Sequence, residues 1–247
     1  MDEQMTTDNP AARAFRVLKA IEAMPNTTET KKAWREALGI KGNDEGPLLI
    51  GLGQFIAVTT EAVELMNDRY PPLKSQTTTW HRTFTKAMQE QVLTSHISTF
   101  TSRYSSASND FLQVMNQMLA IDSPPEIDSL VILDFQQAIS NLIKEVISSD
   151  VEIKVKEYLV KSLRKVESAL DNYRFTGVVP VLESIEIVAG HMFTDSNFKK
   201  SLDADLGYKV FSTLGAVADG VSIATGAPPS LWAQLGEGLK GLLPQSV

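Results

Sequence analysis

Apolar residues recur at intervals of three and four along most of the chain, the spacing that lines side chains up on one face of an α-helix. Asn9 followed by Pro10 predicts a helix start, a capping side chain and then a residue whose missing N–H costs nothing in the first turn. Ala11, Ala14, Phe15, Leu18 and Ile21 then share a face, and the helix is expected to end near Met24 or Pro25. Asn26 with Glu29 resembles a capping box for a short helix through Trp34 and Leu38, closed by Gly39.

The segment from about Gly46 to Tyr70 carries Leu49, Leu52, Ile56, Thr59, Val63, Met66 and Tyr70, a heptad-like seam on a long helix that Pro71-Pro72 ends. Gly51 and Gly53 weaken its first turns by roughly 1 kcal/mol each relative to Ala, or permit another helix to come close. Trp80, Phe84, Ala87, Met88 and Val92 restart the stripe after Lys74 to Thr79. Thr94 to Ser108, rich in Ser and Thr but holding Ile97, Phe100 and Tyr104, reads as a frayed end or surface loop. Ser108 or Asn109 is then the expected cap of a helix bearing Phe111, Val114, Met115, Met118 and Leu119.

Asp122-Ser123-Pro124-Pro125 is the strongest punctuation in mid-chain. Beyond it, Val131, Phe135, Ala138, Leu142 and Val146 with Ile132, Ile139 and Ile143 form a wide apolar arc, as a centrally buried helix would. Ser149 and Glu152 are a second capping-box candidate, before a helix lined by Val155, Leu159, Leu163, Val166, Leu170 and Tyr173. Pro180 argues against a strand at Val178 to Val181, so a helix from near Thr176 to Gly190 is expected. After polar Asp195 to Asp205, Val210 to Ala224 is apolar and rich in small residues, and Pro228-Pro229 precedes a last amphipathic stretch with Trp232, Leu235, Leu239 and Leu242. No alternation of the strand period appears. The expected fold is all-α, a multi-helix bundle of about nine helices in two packed helical subdomains, 1–122 and 123–247, the second ending in the Gly/Ala-rich helix.

Composition narrows this picture. The 247 residues include 23 Lys plus Arg against 30 Asp plus Glu, a net charge of -7, which leaves no large basic footprint for a phosphate backbone, so no nucleic-acid partner is expected. A hydrophobic share of 43% suits a globular chain. With no Cys there is no disulfide, thiol nucleophile or Cys-ligated metal from this chain. The acidic start, Asp2, Glu3 and Asp8 without an apolar run, is unlike a secretory signal, and a cytoplasmic location is expected.

The candidates for chemistry are few. Gly51-Leu52-Gly53 lacks both the third glycine and the preceding strand of a dinucleotide fingerprint, and no phosphate loop occurs. His81, His96 and His191 have no second His at the helical spacing that zinc needs, and neither Arg82 nor Arg103 precedes a His at the interval of a helical RNase of the toxin type. Glu61, Glu64 and Asp68 share a face, as do Glu183 and Glu186, but Glu-x-x-His is missing, so solvated faces are expected. Lys154, Lys156, Lys161, Arg164 and Lys165 make one helix basic, balanced by Glu152, Glu157 and Glu167. Val210 to Ala224 is too short for one bilayer span of roughly twenty residues and holds Asp219, but a helix of small residues packs closely against a neighbour or, after a trigger, inserts in part. No catalytic residue, cofactor or metal ligand is assigned.

From Leu163, the order Leu-x-x-Val166-x-x-Ala169-Leu170-x-x-Tyr173-x-x-x-Gly177, with a helix closing at Gly190, resembles a segment of uncharacterised helical proteins of bacteria; Ala33-Trp34 with Leu38-Gly39 fits their N-terminal half. The resemblance implies a bacterial, soluble, helical protein of unassigned activity, in a group compatible with roles in conflict between bacteria and phage or competitors. The expected function is a non-enzymatic module for binding a protein partner or forming a homo-oligomer, through Leu49, Leu52, Ile56, Val63 and Met66 in the long helix and Val210, Leu214, Trp232, Leu235 and Leu239 near the C-terminus. The alternatives are a membrane-acting effector that releases its Gly/Ala-rich helix, and a hydrolase whose His191 or His96 meets carboxylates on folding.

Overall fold

The computed structural model describes residues 7–194 and 204–225. Among them are eleven α-helices and two short 3-10 turns, with no strand. The chain divides into two compact units, one spanning Thr6–Ser123 and one that begins at Pro124.

The first unit holds α1 (Pro10–Glu22), α2 (Thr30–Leu38), α3 (Glu45–Arg69), α4 (Lys74–Glu90), α5 (Ser98–Thr101) and α6 (Ser106–Leu119). Asn9 caps α1 through its Oδ1, which accepts the Ala12 N–H at 2.8 Å, and its amide donates to Asn116 Oδ1 at 2.9 Å. The helix is thereby tied to α6 where it begins. It packs against α2, α3 and α6, and Ala11, Ala14, Leu18 and Ile21 are buried, as their spacing predicts. Gly39 closes α2 in the left-handed region at φ 69°.

The capping box at Asn26 and Glu29 does not form. Glu29 takes the cap position without a side-chain bond, and Asn26 Oδ1 instead accepts the Thr101 hydroxyl at 2.9 Å. The partners come from far along the chain: Thr30 N donates to the Ser95 carbonyl at 2.8 Å, and Ile97 N to the Thr28 carbonyl at 2.8 Å, around an isolated antiparallel bridge between Glu29 and His96. This pairing pins the Thr94 to Ser108 stretch, expected as a frayed end or surface loop; most of it does lie at the surface, and three apolar side chains anchor it to the core. Ile97, Phe100 and Tyr104 are buried there.

Five of those buried rings close a circuit. Trp34 meets Phe55 at 5.6 Å, Phe55 meets Phe84 at 5.5 Å, Phe84 meets Tyr104 at 6.1 Å, Tyr104 meets Phe100 at 5.5 Å, and Phe100 returns to Trp34 at 5.1 Å. Trp80 stacks on Phe84 at 5.8 Å and shares its indole N–H between Tyr104 Oη and the Ser108 carbonyl. Tilted, edge-to-face and stacked contacts of this kind add to the area that each ring buries. The circuit joins α2, α3, α4, α5 and the approach to α6, segments far apart in sequence.

The 3-10 turn Pro71–Leu73 leads directly into α4, which starts at Lys74, earlier than the stripe beginning at Trp80 predicts. Thr77 is buried in its second turn and donates to Asn67 Oδ1 at 2.6 Å. Its hydroxyl also lies within reach of the Leu73 and Lys74 carbonyls, and a polar residue buried by such contacts carries no apolar signal.

The second unit contains α7 (Ser129–Ser148), α8 (Ile153–Asp171), α9 (Tyr173–Thr176), α10 (Val179–Thr194) and α11 (Ala204–Thr225). Helix α7 packs on α8, α8 on α10, and α11 against both α7 and α10, so four long helices enclose one core. Ile139, Leu142, Val146, Leu159, Leu163, Val166, Ile185, Val188, Val210, Leu214 and Val221 fill it. Ser149 is not part of a capping box: its hydroxyl donates to the Val146 carbonyl at 2.7 Å, and Glu152 precedes α8 without a side-chain cap. Helix α10 runs through Gly190 to Thr194. Buried Tyr173 accepts the Ile127 N–H at 2.9 Å and fixes the chain entering this unit. Four residues later Gly177 stands at φ 70° and ψ -164°, a backbone conformation open essentially to glycine, with its N–H on the Tyr173 carbonyl at 2.8 Å.

Candidate functional site

Helix α3 has two apolar sides. Leu48, Leu52, Phe55, Thr59, Ala62 and Met66 recur at four and three and are buried, so the inward seam begins one residue before the one anchored on Leu49. Five residues were expected to contact a partner through this helix. Leu52, Val63 and Met66 lie in the unit's own core and are consumed by folding, whereas Leu49 and Ile56 are exposed, at 57% and 38%. The deviation arises because a straight helix turns by 3.6 residues, and one 25-residue stripe wanders across its surface.

Leu49 and Ile56 are joined on the outer side by Ile50, 63% exposed, and by exposed Gly53 and Ala57. Residues 46–60 include no charged side chain. A Cβ built on Gly53 meets nothing within 4 Å, whereas one on Gly51 would lie 2.6 Å from Ile40 Cδ1. The two glycines therefore differ: Gly51 lets the chain after α2 come close, and Gly53 leaves the middle of the outer face flat. Among the described residues α3 is also the one helix long and apolar enough to cross a membrane, with a mean hydropathy of 1.5 and 44% of that window buried.

In the second unit Val210 and Leu214 are wholly buried in the core, so α11 uses them for its own packing. Trp232, Leu235 and Leu239 lie outside the described residues.

At the other end of α1 a pocket of about 320 Å3 opens between the last turn of that helix, α5 and the start of α6. Leu18, Ile21, Phe100 and Tyr104 give it an apolar floor, and Glu22, Asn26 and Asn109 lie among the hydroxyls of Ser98, Thr101, Ser102 and Ser106. Asn109 is not the helix cap its sequence position predicts. It sits inside α6, only 4% exposed, and its amide donates to Glu22 Oε2 at 3.2 Å. That bond fixes which way the amide points, and Asn109 Oδ1 has no hydrogen-bond partner. Lys19 donates to the same Glu22 oxygen at 2.9 Å, and this bond holds the carboxyl below its ordinary range. Burial pushes the Tyr104 hydroxyl well above the usual phenol range, so it stays protonated.

A third polar group stands at the start of α1. Arg13, 5% exposed, donates to Asp8 Oδ1 at 2.6 Å and reaches both oxygens of Glu61 on α3 at 3.3 Å. Glu61 stays exposed on the solvated face expected for Glu61, Glu64 and Asp68, and adds this contact from its edge. Desolvation raises its pKa, and the Arg13 charge opposes that rise. The sequence gives little sign of Arg13, which interrupts the apolar face that it joins.

Each histidine has its own surroundings. His81 Nε2 lies 3.4 Å from Thr60 Oγ1, His96 is exposed at the bridge with Glu29, and His191 stacks on Tyr158 at 4.0 Å. The pocket includes neither His96 nor His191. Among the described residues no three His, Asp or Glu side chains gather as a metal site would require. On the basic helix, Lys156 donates to the Ile147 and Ser149 carbonyls and Arg164 pairs with Glu167. Compared with family models, curated proteins and solved structures, the chain gives no match.

Proposed function

We propose that this chain is a non-enzymatic helical module that self-associates, a second copy docking on the outer face of α3. The observation that carries the reading is the exposed set Leu49, Ile50, Gly53, Ile56 and Ala57 within an uncharged stretch of helix. Contiguous apolar surface rimmed by polar residues is characteristic of an interaction site. A second copy is the occupant such a face suits: it presents no charge that would select an oppositely charged partner, and one patch meeting itself closes into a symmetric dimer. Gly53 at its centre lets two helices approach closely.

Sedimentation velocity on the full chain, from low micromolar to about 100 μM, tests it. A dimer is expected, and Ile50→Glu is expected to weaken dimerisation by at least about tenfold without changing the helical content. A monomer throughout the range, or a dimer insensitive to Ile50→Glu, overturns the reading. The length and hydropathy of α3 favour a second reading, in which the same face meets lipid. Flotation of the full chain with phosphatidylcholine and phosphatidylglycerol vesicles, abolished by Ile50→Glu, is the outcome that reading requires.

A further inference from the structure

We propose that residues 226–247 fold back onto the outer side of the second unit, where Trp232, Leu235 and Leu239 cover Leu130, Leu133 and Ile223.

Two contacts fix how α7 and α11 lie together. Near the start of α11, Lys209 pairs with Glu145 of α7 at 3.3 Å; further along, Gly220 rests against Phe135, an earlier residue of α7. The helices are therefore antiparallel, and the end of α11 reaches the level of the first turns of α7. That register brings Ile223 beside the segment holding Leu130 and Leu133.

Single exposed apolar side chains are ordinary on a protein surface. Here three gather at one end of one unit. Ile223, 81% exposed, is the most exposed large apolar side chain among the described residues, and Leu130 and Leu133 are each more than half exposed. Val131, one turn before Phe135 on the side of α7 that meets α11, is half-buried and continues the apolar surface between them.

The chain carries a matching cover. Helix α11 ends at Thr225, two residues past Ile223, and Gly226-Ala227-Pro228-Pro229 follows, a sequence that predicts an end to the helical path. Beyond it Trp232, Leu235, Leu239 and Leu242 recur at three and four, and Glu237 and Lys240 are the only charged residues of 226–247. Such a stripe calls for an uncharged apolar surface, and the patch offers one where the chain leaves α11. Reach is ample: the seven residues from Thr225 to Trp232 span up to about 25 Å, against about 8–10 Å between packed helices.

Tethering decides between one chain and two. A segment on a short linker meets its own unit at an effective concentration of about millimolar, well above that of a second copy's segment in a micromolar solution. The contact is thus made within one chain, apart from the α3 face, which belongs to the other unit.

Fluorine NMR of the full chain carrying fluorotryptophan tests the proposal. Trp232 is the one Trp outside the first unit, and its loss in Trp232→Phe identifies its signal. That signal is expected away from its position in urea, and less sensitive than there to replacing water by deuterium oxide. Leu130→Glu together with Leu133→Glu should move it to the unfolded position. Both side chains are exposed, and an acid in the first turn suits the helix dipole, so the unit keeps its circular dichroism. Leu235→Glu with Leu239→Glu, which leaves α7 untouched, should have the same effect. A Trp232 signal at the unfolded position in the native chain, or one that neither pair of substitutions moves, overturns the proposal. So does a signal that Ile50→Glu moves and the α7 pair does not, which would put the segment on α3. A shift towards the unfolded position on dilution overturns it too, since the occupant would then be a second copy's segment.

Discussion

Gly220 on α11 lies so close to Phe135 on α7 that a Cβ there would be 2.5 Å from the ring's Cζ and 3.1 Å from Cε1. The small residues of α11 are thus used inside the second unit, to bring one helix close to another. Gly220→Ala is expected to force the half-buried Phe135 ring aside and to cost about 1–3 kcal/mol, the usual range for overpacking. Shortening the ring with Phe135→Leu makes room for the new methyl, so the two substitutions together should cost less than their sum. Urea denaturation of the two single variants and the double variant measures this coupling.

The extent to which the chain could be read in advance depends on the distance over which each signal acts. Asn9-Pro10 and Gly39 state their roles within a single turn, and both hold. Val155, Leu159, Leu163, Val166 and Leu170 do so as well, because one helical face meets one core. Asn26-Glu29 and Ser149-Glu152 are equally local patterns, yet the first gives way to a bond from Thr101, 75 residues away, and the second to the Val146 carbonyl. The pocket was the least legible part. It is assembled from the end of α1, from a Ser/Thr-rich segment that local rules assign to the surface, and from Asn109, whose residue type reads as a cap. What places Asn109 is its contact with Glu22 across 87 positions, which no spacing rule reports.

Arg13 and Asp8 are both almost fully shielded from water and joined at 2.6 Å. Removing one partner of a buried ion pair strands the other, so Arg13→Ala is expected to destabilise the first unit by about 3–5 kcal/mol. A well-packed apolar replacement of both groups, Arg13→Met with Asp8→Leu, should recover most of that loss, because the pair itself contributes little beyond its own desolvation. Chemical denaturation monitored by tryptophan fluorescence distinguishes the two cases. If the double substitution is as unstable as Arg13→Ala, the contact to Glu61 or the Asn9 cap is the element that matters.

Trp34 is wholly buried, touches Phe55 and Phe100, and donates its indole N–H to Gln91 Oε1 at 2.6 Å. Trp34→Phe keeps an aromatic ring but removes that donor and part of the volume. The orphaned acceptor and the resulting gap together are expected to cost about 2–4 kcal/mol. Adding Gln91→Leu removes the stranded polar group and should return part of the loss. Thermal unfolding by circular dichroism gives the comparison, and equal melting temperatures for Trp34→Phe and the native chain would mean that the circuit of rings contributes no cooperative packing.

His81 sets a dependence on pH. Burial lowers its pKa from the ordinary value of 6.5, and the negative field of Glu64 opposes the shift. The folded protein therefore binds a proton at this ring less readily than the unfolded chain, and unfolding below about pH 6.5 takes one up. The contribution of His81 to stability is complete above the unfolded value of 6.5 and is lost as pH falls through the lower, folded value. Glu61 works in a different range and with the opposite sign. Its carboxyl, raised above 4.5 by burial, favours the folded state when protonated, and this contribution is lost as pH rises through the folded value. The native chain should thus lose stability in moving from about pH 7.5 to 5.5, and His81→Gln should lose less over the same interval. Urea midpoints at about pH 7.5, 6.5 and 5.5 for both proteins test the difference, and the His81 ring protons followed by NMR should titrate below 6.5. Parallel pH profiles in the two proteins would show that the ring near Thr60 and Trp80 is solvated well enough to ionise freely in the folded state.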